Sequence, residues 1–278
     1  MAEPAWKTPI GKQWAPEREV AEEEMEERSV LQRWIELPDG ELELLELPLT
    51  PELFLDPELD DKMVQGEWHD LTGGEISALL RCYFKSKGKP DGVRVFHDLK
   101  HLLGPGLSAP APDVSVVYGL RDPTPLDSLD VQKEGVRPSL VIEVVSPLSA
   151  QVRQTDLVRK VGLYQRIGVP EYLIVDTSTR KRAARRYTLL GYRLDATGQY
   201  HAIVPDAEGR LLSETTGVLF QIGPTGDRVL LFEAATGRRL LNLEEQSERA
   251  DQETEARKAA EAENARLREE IERLRGNR

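Results

Sequence analysis

From residue 67 onward the apolar positions follow two distinct periods. Between Glu67 and Lys87, Ile76, Leu79, Leu80, Tyr83 and Phe84 fall at i, i+3, i+4, i+7 and i+8, which is one face of an amphipathic helix. KGKPDG (87–92) ends it, and VRVF (93–96) has strand composition. DVSVVYG (113–119), SLVIEVVS (139–146) and EYLIVD (171–176) are short apolar runs bounded by turn residues, the pattern of buried strands. AQVRQTDLVRKVGLYQRI (150–167) reads as a helix that Gly-Val-Pro stops, and RRYTLL, GYRL and YHAIVP look like a meander. The order is helix, three strands, helix, strand, then hairpins. It predicts an α/β domain around a mixed central sheet flanked by helices.

The ends of the chain have a different character. Residues 1–20 are polar and contain proline, as expected of a flexible N-terminus. The stretch 21–35 predicts a helix, with Met25, Val30, Leu31, Trp34 and Ile35 as its apolar positions. Pro38-Asp-Gly40 is a turn signal, and ELELLEL (41–47) is suited to a short strand. Residues 244–278 are rich in Glu, Ala and Arg, without proline and without glycine before Gly276. With Leu267 and Leu274 at d, Asn264 and Ile271 fall at a and Ala260 at an earlier d. This predicts a C-terminal helical tail, as a short coiled coil or as a single solvated helix. The expected organisation is a flexible segment 1–20, an α/β domain over 21–243 with an N-terminal helical extension, and the tail 244–278.

Composition narrows the function classes. The net charge of -12 excludes nucleic-acid binding by bulk electrostatics, so such a role requires a local basic patch or a bridging metal ion. One cysteine excludes an intrachain disulfide and a Cys-rich zinc site, and fits a reducing cytoplasm. Cys82 lies in the apolar run ISALLRCYF and is expected to be a small core residue. No run of about 18 apolar residues exists and the first residues lack an apolar signal core, so neither a membrane span nor export is expected.

The candidate chemistry begins with Glu143, a carboxylate inside Leu140–Val145. A buried charged carboxylate is costly unless it is paired or bound to a metal. Asp113, directly after Pro112, opens the strand VSVVYG and raises the same question. Two neighbouring strands could bring both acids to one end of the sheet, where oxygen ligands of this kind suit Mg²⁺ (or Mn²⁺). On the following helix Asp156, Lys160 and Tyr164 are spaced i, i+4, i+8 and share a face, so Lys160 could reach back to the acids. Structural alternatives stand beside each: a strand-entry turn for Asp113, an arginine pair for Glu143, an exposed i, i+4 pair for Asp156 and Lys160.

APDVSVVYG, SLVIEVVSP and TDLVRKVGLYQRIGVPEYLIVD together resemble the Uma-two family of putative restriction endonucleases, within the PD-(D/E)XK nuclease superfamily. The resemblance is strongest over 110–176 and extends over 65–240. It implies a restriction-endonuclease-like core and Mg²⁺-dependent hydrolysis of DNA phosphodiesters. By position it implies Asp113 and Glu143 as metal ligands. The superfamily places a lysine two residues after the acid; here that residue is Val145, and Lys160 on the next helix would substitute. His69 and Glu75 are the candidates for the residue that the first helix often contributes, although His69 could equally be an exposed loop histidine.

Remaining features carry rival readings. HDLKH (97–101) resembles a zinc-protease motif, but VRVF before it and LLGPG after it leave no room for the long helix it needs. RKRAARR (180–186), with Arg182 and Arg185, either contacts DNA phosphates or forms a solvated turn. Arg153 and Arg159 would add to a basic face near Lys160. The expected partners are DNA, a second copy of the chain in a homodimer, and a protein partner through the tail. The alternative function is a non-catalytic scaffold on a nuclease fold, although such loss should show as a missing acid.

Overall fold

In the computed structural model, residues 30–48, 62–63, 67–88, 92–145, 155–177 and 186–276 are described. The chain divides into two units, Met1–Leu240 and Leu241–Arg278.

The first unit is built on a six-stranded mixed sheet. Its strands are β4 (Arg94–His97), β6 (Val114–Val117), β8 (Pro138–Val145), β9 (Glu171–Asp176), β10 (Thr188–Leu194) and β11 (Tyr200–Ala202), in spatial order β11-β10-β9-β8-β6-β4. Only the β8–β9 pair within it is parallel. Parallel neighbours need a crossover, and here it runs through a π-helical turn (Thr155–Arg159) into α3 (Lys160–Ile167). Gly168 ends α3 in the left-handed conformation, φ +75°, and its N–H and that of Val169 close the last carbonyls of the helix.

Side chains alternate across the central strands and build two cores. Leu140, Ile142 and Val144 of β8 face helix α1 (Glu67–Ser86), packing with Ile76, Leu79, Leu80 and Phe84. Val141 and Val145 face α3, with Leu163, Tyr164 and Ile167. That near-continuous burial is why β6, β8 and β9 read as apolar runs. A second sheet, β12 (Leu211–Ser213), β13 (Val218–Ile222) and β14 (Val229–Glu233), closes the α1 side through Val218, Phe220, Val229 and Leu231. The pattern reading leaves this sheet out. The short strands β5 (Lys100–Leu102) and β7 (Ser128–Asp130) pair in parallel, β7 leading into the one-turn helix α2 (Val131–Glu134).

Two expectations need correction. The helix expected over 21–35 is not found in its described part: Val30–Glu36 is strand β1, antiparallel to β2 (Leu42–Pro48) and also paired with β3 (Lys62–Met63). Residues 21–29 lie outside the described residues, as does the segment 1–20. The cause is the Pro38–Gly40 turn, where Gly40 (φ +85°) and the Leu37–Glu41 hydrogen bond fold the following strand back onto this one. A partner strand then satisfies the backbone of a segment too short to hold a helix alone. Cys82 is exposed rather than in the core. It lies two residues from both Leu80 and Phe84, which on a helix is the opposite face.

The second unit is α4 (Leu243–Gly276), a 34-residue helix. Asn242 and Glu245 cap it reciprocally: Glu245 N–H donates to Asn242 Oδ1 at 2.9 Å and Asn242 N–H to Glu245 Oε2 at 3.1 Å. Among the described residues, no helix is long and apolar enough to cross a membrane.

Candidate active site

Register explains how the two acids meet. Val114 of β6 pairs with Ile142 of β8 in an antiparallel ladder, so the next step sets Asp113 opposite Glu143. Glu143 shares a strand face with Val141 and Val145, which is the face that α3 covers. From α3, Lys160 and Tyr164, one turn apart, both reach it. Lys160 Nζ lies 2.9 Å from Glu143 Oε2, and Tyr164 Oη donates to Oε1 at 3.0 Å. The lysine and glutamate side chains are only 3% and 2% exposed. Val145, the position where a strand-borne lysine would stand, is a fully buried core residue. The ammonium therefore arrives from the helix instead.

Asp113 is buried beside this pair. Its Oδ2 accepts from the Val144 backbone N–H at 2.6 Å and lies 3.1 Å from His69 Nε2. Oδ1 carries neither contact. Burial pushes the Asp113 carboxyl up, but His69, Lys160 and the Val144 N–H outweigh it and hold the group below its ordinary value. His69 lies within α1 and its side chain is only 10% exposed, so it is not a loop histidine. Gly73, one turn further along α1, permits this approach. A Cβ there would stand 3.1 Å from His97 Nε2 and 3.7 Å from the Asp113 Cβ.

Three further groups lie near Asp113: Asp70 and Asp98, which the sequence does not single out as ligands, and His97, which it raises only within the zinc-protease pattern HDLKH. Asp70, His97 and Asp98 bring one donor atom each to within 4.8 Å of one another. Asp98 sits at φ +52°, directly after β4, and its N–H donates to the Asp113 carbonyl at 3.3 Å. Desolvation, then the Asp113 charge, push the Asp98 carboxyl up to about 6. HDLKH is not helical: His97 ends β4 and His101 lies in β5, buried, with Nε2 3.1 Å from Ser115 Oγ.

Other sequence candidates are placed elsewhere. Glu75 accepts from Arg228 at 3.1 Å. It stands six residues beyond His69, about 240° around the helix, so it does not face the acids. Arg159 is exposed at the start of α3. Arg153, Arg182 and Arg185 lie outside the described residues, as does the basic run over 180–185.

A second buried carboxylate sharpens the reading of Glu143. Glu171, at the start of β9, accepts from Arg193 Nε (2.9 Å) and Glu214 N–H (2.8 Å) on one oxygen. Its other oxygen accepts from Ser213 Oγ (2.6 Å), Thr215 Oγ1 (2.7 Å) and Thr215 N–H (3.2 Å). These bonds saturate it and tie the second sheet to the first. Glu143, by contrast, meets Lys160 and the Tyr164 hydroxyl and stands at the register position opposite Asp113, so hard carboxylate oxygens lie beside a cation. That chemistry fits a divalent metal such as Mg²⁺ or Mn²⁺.

A central mixed sheet flanked by helices is the restriction-endonuclease-like class of α/β fold. The chain belongs to the Uma2 family, described as a putative restriction endonuclease, whose model matches residues 36–223. Among solved structures it is similar to a putative nuclease belonging to DUF820 from Anabaena variabilis, at 17% identity and a TM-score of 0.40, over 71% of this chain and 86% of that one. No curated protein matches the chain.

Proposed function

We propose that this protein is a metal-dependent DNA endonuclease, hydrolysing phosphodiester bonds at the Asp113–Glu143–Lys160 cluster. The observation that carries the reading is the buried Lys160–Glu143 contact set against Asp113 on the neighbouring strand. An unneeded charge cluster at this depth is costly, and hydrophobic residues would pack there more favourably. The α/β unit is the catalytic body in this reading, the tail is separate from it, and the protein works in the cytoplasm as a homodimer.

Asp113, through Oδ1, and Glu143 would hold Mg²⁺ or Mn²⁺. When bound, such an ion polarises a phosphoryl oxygen and lowers the pKa of a water. His69 and the Val144 N–H fix the Asp113 carboxylate, so its free oxygen keeps one direction. Tyr164 and Lys160 hold the orientation of the Glu143 carboxylate. The Lys160 ammonium orients the attacking water or stabilises the negative charge that develops on phosphorus-bound oxygen. Arg159, exposed at the entry to α3, and the basic run near 180–186 are placed by sequence to contact DNA phosphates. Such contacts would be local on a chain whose net charge repels DNA.

The test is incubation of supercoiled, single-stranded and branched DNA with the purified chain in Mg²⁺, in Mn²⁺ and in EDTA. Cleavage should require the metal and disappear in Asp113→Ala and Glu143→Ala variants that remain folded. Cleavage by Asp113→Ala at the wild-type rate would contradict the assignment. No cleavage of any substrate would leave the non-catalytic scaffold as the better account.

A further inference from the structure

We infer that α4 is one half of a parallel two-stranded coiled coil, and that the other half is a second copy of this chain. The helix begins from its own capping box and is exposed at every described side chain from Gln246 to Arg275. Intrahelical pairs such as Arg249–Glu253 and Arg257–Glu261 support it only weakly. Its last part nevertheless displays large apolar side chains: Leu267 is 47% exposed, Ile271 48% and Leu274 61%. Spaced by four and three, they form a narrow stripe with Ala260 and Asn264, the seam of a coiled coil rather than the broad face of a core helix.

Residue types along the seam specify the partner. Ile271 at a with Leu267 and Leu274 at d favours two strands, and Asn264 at a is satisfied by the same residue across a parallel axis. The flanking charges specify the orientation. By sequence, position g is Glu263 and Glu270, and position e is Arg268 and Arg275. In a parallel pair each g faces e of the following heptad on the other chain, so Glu263 meets an arginine at 268 and Glu270 one at 275. In an antiparallel pair g faces g and e faces e, which sets glutamate against glutamate and arginine against arginine. Charge complementarity thus selects a parallel second copy. Upstream, Gln246, Ala250, Glu253 and Arg257 occupy the a and d positions, so the seam starts only near Ala260. The coupling is short, and the dimer should dissociate on dilution. None of this depends on the catalytic reading.

Sedimentation of the full-length chain over about a hundredfold range of concentration tests it. Wild type should pass from monomer to dimer. Arg268→Glu with Arg275→Glu makes every facing pair acidic, and Glu263→Arg with Glu270→Arg makes every pair basic. Each variant alone should associate about tenfold more weakly, and an equimolar mixture should recover a heterodimer. In a Cys82→Ser background, Leu267→Cys and Leu274→Cys should each form a disulfide-linked dimer, whereas an antiparallel pair aligns at most one of these positions with itself. Three results would overturn the inference: a wild-type chain that is monomeric throughout, charge variants that dimerise as tightly as wild type, or cross-linking at only one of the two cysteines.

Discussion

Replacing Lys160 by Met removes the cation from Glu143 while keeping most of the side-chain packing. At 2.9 Å the pair attracts by about 6 kcal/mol at an effective dielectric of about 20. Desolvation of both groups offsets much of that in the wild type. In the variant the lysine is gone but the carboxylate stays buried, and breaking one side of a buried pair costs about 3–5 kcal/mol. The carboxyl can escape by taking up a proton, which from an ordinary glutamate pKa of about 4.3 costs about 3.7 kcal/mol at pH 7 and about 1 kcal/mol at pH 5. The loss of stability should therefore be near 4 kcal/mol at pH 7 and shrink steeply towards pH 5. Denaturant unfolding at both pH values measures it. Adding Glu143→Gln to Lys160→Met should recover most of the loss, because the amide oxygen still accepts from Tyr164 and no charge is left. A cost below about 1 kcal/mol at pH 7, or a cost independent of pH, would refute the buried ion pair.

Three more predictions rest on other parts of the structure. Burial holds the His101 pKa down to about 3, so the unfolded chain takes up a proton below about 6.5 while the folded one resists. The stability this histidine contributes is complete above that pH and is lost as pH falls towards 3, by up to about 5 kcal/mol; His101→Leu should flatten that limb, and equal slopes would refute it. Tyr164→Phe removes one hydrogen bond to the Glu143 carboxylate and should cost about 1.5–3 kcal/mol in denaturant unfolding, with slowed but not abolished cleavage. Glu171→Ala removes the shared acceptor of Arg193, Ser213 and Thr215 at the junction of the two sheets and should cost about 3 kcal/mol; a loss under about 1 kcal/mol would show that water and their remaining partners replace those bonds.

The central strands were legible because both faces of β6, β8 and β9 are buried, which leaves Glu143 as a lone acid in an apolar run. Lys160 and Tyr164 were legible too, since one helical turn separates them and the crossover must return along β8. Elsewhere the apolar pattern alone was ambiguous. The spacing of Val30, Leu31, Trp34 and Ile35 suits a helix, and only pairing with the strand beyond the Pro38–Gly40 turn decides for β1. Cys82 was assigned to the core from the company of apolar neighbours, although its angle on α1 points it outward. Asp70, His97 and Asp98 come from a helix and a strand end some 27 residues apart, and no local spacing announces that they meet. Glu171 is similar: the groups that saturate it lie on β10 and at the β12–β13 turn, more than twenty residues downstream. Glu75 is a candidate only because the resemblance implies an acid or histidine on this helix, and it lies on a different face of α1 from His69, bonded to Arg228.

The most direct measurement is a crystal structure of the protein grown with Mn²⁺, with the ion located by its anomalous scattering. The account predicts a peak ligated by Asp113 and Glu143, with Lys160 still beside the glutamate. A protein that binds manganese only at Asp70, His97 and Asp98, or not at all, would contradict the claim that Glu143 is buried in β8 for the sake of a metal ion.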